Sequence, residues 1–232
     1  MLDIPNQRFT VHADECLHSL PFHIQPVTLA HDNTNVYGYE VLYRGIEPRR
    51  WCQIDNQVLR YLALHRLHGV TLFVNLSSET LLNQEDGVFE AVADANNVIF
   101  ELSETILNVE QLEAIALKVN RLTRKGLRWA IDDFGAGMDG LARLYSLDRV
   151  HCIKVDEGLL RAAARRSEAK EALSALVTQW RAQGILSIAE CVETQALLDV
   201  ARSIGVDLVQ GHLLDDLHIK LKSYEIRNNR SH

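Results

Sequence analysis

The chain has 232 residues, enough for one large or two small domains, and its 47% hydrophobic and 24% charged content excludes a disordered polymer, since it can bury enough apolar surface to offset chain entropy. A net charge of -7 excludes a general electrostatic grip on a nucleic-acid polymer, which needs clustered Lys and Arg, but leaves a cation-mediated nucleotide site open. No apolar run reaches the ~20 residues of a membrane helix, and the opening MLDIPNQRFT has no basic region followed by an apolar stretch. Cys16, Cys52, Cys152 and Cys191 lie too far apart for CxxC or zinc spacing. Reduced thiols, no membrane attachment and a cytoplasmic protein are therefore expected.

In chain order, residues 22–44 (FHIQPVTLAHDNTNVYGYEVLYR) read as two strands around a polar turn at His31 to Asn35, a hairpin rather than a crossover. A helix is expected to start near Asp55. Gly69-VTLFVNLS and Asn97-VIFELSE follow as short apolar runs ending in polar groups, then a helix with Leu112, Ile115, Val119 and Leu122 on one face. Gly126-LRWAIDDF, Val150-HCIKVD, a helix facing inward with Leu173, Leu176, Val177 and Trp180, Gly184-ILSIAE and Gly205-VDLVQG complete the rhythm. In three of the four Gly-led runs the Gly directly follows an amphipathic pattern and reads as a helix stop. Near-continuous apolar strands separated by helices predict a parallel sheet covered on both faces.

The polar residues decide between an open sheet and a closed one. Nearly every strand ends in one: Asn75, Glu101, Asp132 with Asp133, Lys154 with Asp156, Glu190 and Gln210. In a closed barrel these ends converge on one rim, whereas an open sheet concentrates its site at a switch point, commonly with a glycine-rich phosphate loop. No GxGxxG or Walker sequence is present. The expected fold is α/β, a TIM-like (β/α)8 barrel with one antiparallel strand near the N-terminus. No Pro-, Gly- or Ser-rich linker marks a boundary, so residues 1–232 are expected to form a single domain.

Glu40, Asn75, Glu101, Asp132 and Asp133 are oxygen donors at or beside strand ends. Such hard ligands suit Mg²⁺ or Mn²⁺, and an adjacent Asp pair can serve two cations. Two ions about 3.5 to 4 Å apart can activate water and stabilise the leaving oxygen of a displacement at phosphorus, which implies phosphodiester hydrolysis. Lys154 is placed to hold or polarise the attacking water and Glu190 to orient it. One acidic residue at a strand end is commonly a solvated residue or a helix N-cap, as Asp133 alone could be; recurrence at successive strand ends carries the prediction. His65 and His68 lie three apart on a helix with nothing to complete a metal set, and Arg49–Arg50 and Arg165–Arg166 read as surface pairs.

At these residues the sequence resembles the EAL family of cyclic di-GMP phosphodiesterases. The signature Glu-Ala-Leu stands here as Glu40-Val41-Leu42 within YGYEVLYR, followed by FVNLS, FELSE, DDFGAG, IKVD, AECVET and VQG in the family's order. The resemblance implies that Glu40, Asn75, Glu101, Asp132 and Asp133 bind two Mg²⁺ or Mn²⁺ ions, with Lys154 and Glu190 managing the water and linear pGpG as product. Gln25, Arg44 and Gln210 look like substrate contacts, and Glu104 resembles the residue that steadies the loop Phe134 to Gly140. A homodimer through the helices beside that loop is also implied.

Departures from the family pattern are Val41, which adds bulk beside Glu40, a shortened segment GIEPRRWCQI after Arg44, the loop AGMDG, Cys191 in place of a common Gly, and His212 after Gln-Gly. Cys191 is expected to be a small buried residue and His212 a rim residue. These departures motivate an alternative, a degenerate member serving as a cyclic di-GMP receptor or protein-binding regulator. A barrel enzyme acting on another phosphate ester fits the bare metal constellation but not the run of motifs. No sensory, receiver or cyclase segment is recognised, so regulation through expression, oligomerisation or a separate protein partner is expected.

Overall fold

The structure, a computed structural model, describes residues 22–43, 51–67, 69–103, 108–137 and 140–215. Strands β1 (Phe22–Leu29) and β2 (Val36–Tyr43) form the expected antiparallel hairpin, with Gln25 level with Glu40. Its turn is held by Asp32, whose carboxylate accepts from the Thr34 amide, the Thr34 hydroxyl and the Asn35 side chain, a local arrangement that favours Asp at turn entries. Parallel strands follow: β3 (Thr71–Leu76), β4 (Asn97–Leu102), β5 (Trp129–Phe134), β6 (Cys152–Val155), β7 (Leu186–Ala189) and β8 (Leu208–Gln210). The sheet closes because β8 pairs with β1, which runs antiparallel to both its neighbours.

The covering helices are α1 (Trp51–Leu64), α2 (Ser78–Asn83), α3 (Asp86–Ala95), α4 (Val109–Thr123), α5 (Gly140–Ser146), α6 (Glu157–Arg165), α7 (Ser167–Ala182) and α8 (Gln195–Ile204). The expected apolar faces are buried: Ile115, Val119 and Leu122 on α4, and Leu173, Val177 and Trp180 on α7, with Leu176 partly covered. Gly205 ends α8 in the left-handed conformation, its amide donating to Ala201 and Arg202 carbonyls, which is the geometry that suits Gly at a helix end. Among the described residues no helix is long and apolar enough to cross a membrane.

Two apolar layers lie between helices and sheet, and a third fills the barrel itself with Val27, Phe73, Ile99, Ala130, Cys152, Ile188 and Leu208. These seven residues come from seven strands, so they meet only in the barrel interior. The register steps by two residues at β2/β3, β4/β5, β6/β7 and β8/β1, setting Glu40 level with Phe73, Glu101 with Ala130, Lys154 with Ile188 and Gln210 with Val27. That stagger is what lets alternate strands fill successive interior layers.

Two expectations are corrected. Helix α1 begins at Trp51, so Asp55 lies within it. Asp156 is not a rim group but the N-cap of α6, its carboxylate accepting the Gly158 amide at 2.7 Å; an Asp after a strand serves the next helix when that helix starts at once. Asp55 is itself a buried anchor. Its Oδ2 accepts from the Ser77 amide at 2.8 Å, the Ser77 hydroxyl at 2.7 Å and the Thr80 hydroxyl at 2.7 Å, tying α1 to the turn that leaves β3. Asp55→Ala strands these buried donors and is expected to lower unfolding free energy by about 2–4 kcal/mol, read by urea denaturation, while Asp55→Asn loses less because it keeps one acceptor.

Candidate active site

The polar rim follows from strand period. Side chains two residues apart share a sheet face, and each apolar interior residue is followed two residues toward the C-terminal mouth by a polar one. Phe73 leads to Asn75, Ile99 to Glu101, Ala130 to Asp132, Cys152 to Lys154, Ile188 to Glu190 and Leu208 to Gln210. In reversed β1 the step runs backward, from Val27 to Gln25. On β2 the lower position is Gly38, where a Cβ would lie 2.6 Å from the Thr71 carbonyl and 3.1 Å from Phe73; Glu40 stands above it.

Lys154 occupies the centre of this layer and is 1% exposed. Its Nζ lies 2.9 Å from Asp132 Oδ1, 2.9 Å from Glu190 Oε1, 3.0 Å from Glu101 Oε1 and 3.3 Å from Glu40 Oε2. Burial alone would lower its pKa, but Asp132, Glu101, Glu190 and Glu40 together hold the ammonium well above its ordinary value. Glu40 accepts Asn75 Nδ2 on Oε1 at 2.6 Å and Gln210 Nε2 on Oε2. Against burial, which would raise it, Lys154 and these donors keep Glu40 below the usual carboxylate range. Glu101 behaves oppositely: burial and the neighbouring Glu40 push it well above that range despite Lys154. Burial also lifts Glu190, to about 8, with Asp132 and Glu40 adding to the rise against Lys154.

Adjacent strand residues ordinarily face opposite sides, so an Asp pair on one site needs a backbone irregularity. Asp133 supplies it with φ 48, at a register shift between Ile131 and Phe134 in the β5/β6 ladder. Left-handed backbone is tolerated by Asp better than by most residues. As a result carboxylate oxygens of Asp132, Asp133 and Glu190 all lie within 4.8 Å of one another. This group includes Glu190, which the sequence assigns to water handling; Asp132 and Glu190 also pair with Lys154, as do Glu40 and Glu101 outside the group.

The donor set fits a hard divalent cation. Four carboxylates crowd one ammonium, and Glu101 Oε2 and Glu190 Oε2 are buried with no hydrogen-bond partner. Buried oxygens left in this state call for an explanation, and oxygen ligands of this kind suit Mg²⁺ or Mn²⁺. Asn75 spends its amide donor on Glu40, which leaves its carbonyl oxygen for another partner.

Gln25 and Gln210 are buried at the mouth, bonded to each other at 2.9 Å. Arg44, Glu104, His68, Met138 and Asp139 lie outside the described residues. Val41 does not crowd the site: it packs in the outer layer, on the face opposite Glu40. Cys191 is corrected from a buried to an exposed residue, and its φ of 51 turns it outward and accounts for Gly suiting this position. His212 is exposed at the rim, 3.7 Å from Glu193. His65 stacks on Tyr61 at 4.2 Å and takes no part in the site. Cys152 and Cys191 are thiols.

Two residues escaped the sequence reading. Arg143, 2% exposed on α5, donates to the carbonyls of Leu102 and Asp132 and so fastens β4 and β5 at the mouth; an Arg on a short helix gives no signal of burial. Asp215, beyond β8, accepts Gln25 Nε2 at 3.0 Å, a contact across 190 residues that periodicity does not reveal.

The model of the EAL domain matches residues 52–215, and the chain belongs to the EAL domain family. It is 29% identical over 123 residues to the cyclic di-GMP phosphodiesterase PdeF of Escherichia coli, covering 52% of this chain and 16% of that protein. The chain spans about a fifth of the length of the curated relatives it matches. Among solved structures it is similar to a manganese and cyclic di-GMP complex of Klebsiella pneumoniae BlrP1, with TM-score 0.68, 25% identity and coverage of 83% of this chain and 54% of that one. It is likewise similar to the EAL domain of Mycobacterium smegmatis DcpA, with TM-score 0.64, 25% identity and coverage of 88% and 96%.

Lys154→Met leaves four clustered carboxylates without their internal cation. It is expected to lower stability by about 3–5 kcal/mol in chelator, as breaking buried ion pairs does, with partial recovery in Mg²⁺ or Mn²⁺, measured by chemical denaturation. Glu190 adds a pH signature. Its folded pKa of about 8 lies above its ordinary 4.5, so its contribution is complete below about pH 4.5 and lost as pH rises toward 8. In chelator, stability should therefore fall across that window, and fall less in Glu190→Gln.

Proposed function

We propose that this chain hydrolyses cyclic di-GMP to linear pGpG at the barrel mouth, with Mg²⁺ or Mn²⁺ as cofactor. The carrying observation is the Lys154-centred set of carboxylates, with Asp132, Asp133 and Glu190 close enough to share a cation. Family membership and the cyclic di-GMP complex of the Klebsiella protein support the substrate.

Asp132, Asp133 and Glu190, with Glu40, Asn75 and Glu101 beside them, would hold the cations, which supply Lewis acidity and a nucleophile when bound. The chain's own groups divide the remaining work. Lys154, held firmly protonated, is a donor and not a base; it steadies the oxygen that attacks phosphorus. Glu190 Oε2 has no directed hydrogen bond, so it is suited to orient that oxygen and accept its proton. Gln25, Gln210 and Arg44 are assigned to substrate, and Glu104 to the loop after the Asp pair. Without cations the excess carboxylates would repel a phosphodiester, so chelator should abolish turnover.

The proposed assembly is a homodimer, supported by apolar side chains left exposed on the helix that follows the Asp-pair loop, Leu141 and Tyr145 on α5. The proposed compartment is the cytoplasm, in keeping with thiol cysteines.

Purified protein with cyclic di-GMP and Mg²⁺ or Mn²⁺ should yield pGpG by chromatography. Glu40→Ala and Lys154→Ala should each reduce the rate by at least about a hundredfold. Binding of cyclic di-GMP without turnover in the folded protein would instead indicate the receptor role.

A further inference from the structure

Gln25, Gln210 and Glu40 form a chain of hydrogen bonds, and its far end is a carboxylate that the proposed chemistry does not use. We propose that Asp215 is a positioning residue that fixes the donor polarity of Gln25 and Gln210 and so holds Glu40 in place; this rests on the reading of Glu40 as a site carboxylate.

An amide can present either its NH₂ or its carbonyl to a neighbour, whereas an ionised carboxylate only accepts. Asp215 Oδ2 takes Gln25 Nε2 at 3.0 Å. Gln25 must therefore turn its Oε1 toward Gln210, where it accepts Gln210 Nε2 at 2.9 Å. The same Nε2 also donates to Glu40 Oε2. Both hydrogens of the Gln210 amide are thus committed, one to each side, and Glu40 gains a donor in addition to Asn75 and Lys154. If Gln25 were reversed, two NH₂ groups would face each other, and Gln210 could relieve them only by turning its own oxygen inward.

A second observation points the same way. Gln210 Oε1 and Asp215 Oδ1 are buried without a hydrogen-bond partner. Flipping Gln210 would not satisfy that oxygen, because it would set a carbonyl against both Gln25 Oε1 and the Glu40 carboxylate. The fold keeps the costly orientation, which is the one that favours Glu40. Backbone geometry delivers Asp215 to this position. The Val192 amide donates to the Gln210 carbonyl at 2.9 Å, the Leu213 amide to Val192 at 3.2 Å and the Leu214 amide to Gly211 at 2.9 Å. Gly211 permits this packing, since a Cβ there would lie 2.3 Å from the Val192 nitrogen.

The test compares the wild-type chain with Asp215→Asn, which keeps size but can donate or accept, and Gln25→Met, which cuts the relay at its middle. Side-chain amide resonances of Gln210 should be dispersed and slowly exchanging in wild type and should move toward solvent-averaged positions in both variants. Mn²⁺ affinity, measured by paramagnetic resonance without substrate, should fall by about tenfold, the lower end for residues that support a metal ligand indirectly, and the double variant should be no worse than either single one. Unchanged Gln210 resonances and Mn²⁺ affinity in the folded variants, or additive losses in the double variant, would overturn the proposal. Because these readings need no turnover, a wild-type protein that fails to cleave cyclic di-GMP would count against the proposed function and not against the relay.

Discussion

The ammonium of Lys154 sits inside a closed sheet, 1% exposed, within 3.3 Å of four carboxylates from four different strand ends. A buried charge of this kind persists only if paired and hydrogen-bonded. Here the pairing is lopsided, because one positive charge serves Glu40, Glu101, Asp132 and Glu190. The protein meets the imbalance unevenly. Glu40 collects donors and stays ionised, while Glu101 and Glu190 are pushed upward. Divalent cations would resolve the same excess directly, which links the stability of the barrel mouth to its chemistry.

Closure of the sheet makes this cluster possible. Reversed β1 joins β2 and β8, and the two-residue register steps stack an apolar interior layer beneath a polar one. The lower layer, from Val27 to Leu208, excludes water from below, so the upper layer meets solvent only at the mouth. Electrostatic interactions among its members are correspondingly strong. The backbone irregularities at Asp133 and Cys191 both fall immediately after strand residues of this layer, where local strain can be part of a site's design.

Much of this was legible in sequence because one rule generated it: strands buried on both faces, each with a polar residue at its C-terminal end. Asn75, Glu101, Asp132, Lys154, Glu190 and Gln210 all obey that rule, and the hairpin announced itself through the polar turn at residues 31–35. Asp156 fits the same pattern yet is no rim group, since a helix beginning at Glu157 claims it as a cap. Cys191 is exposed against the burial tendency of Cys, because that tendency says nothing of a left-handed backbone. Arg143 and Asp215 left no trace in local pattern; each acts through contacts that only the closed barrel brings together. That Asp133 joins Asp132 and Glu190, both already paired with Lys154, is likewise invisible in sequence, because it depends on a one-residue irregularity in β5.

The excess negative charge at the barrel mouth is proposed to mark a divalent-cation site. A crystal of the protein grown with Mn²⁺ and measured at an energy where manganese scatters anomalously tests it most directly. An anomalous peak at Asp132, Asp133 and Glu190 is expected, as is its loss in Asp132→Asn with the barrel intact. Diffraction from well-ordered, Mn²⁺-saturated crystals with no anomalous peak at these carboxylates would contradict it.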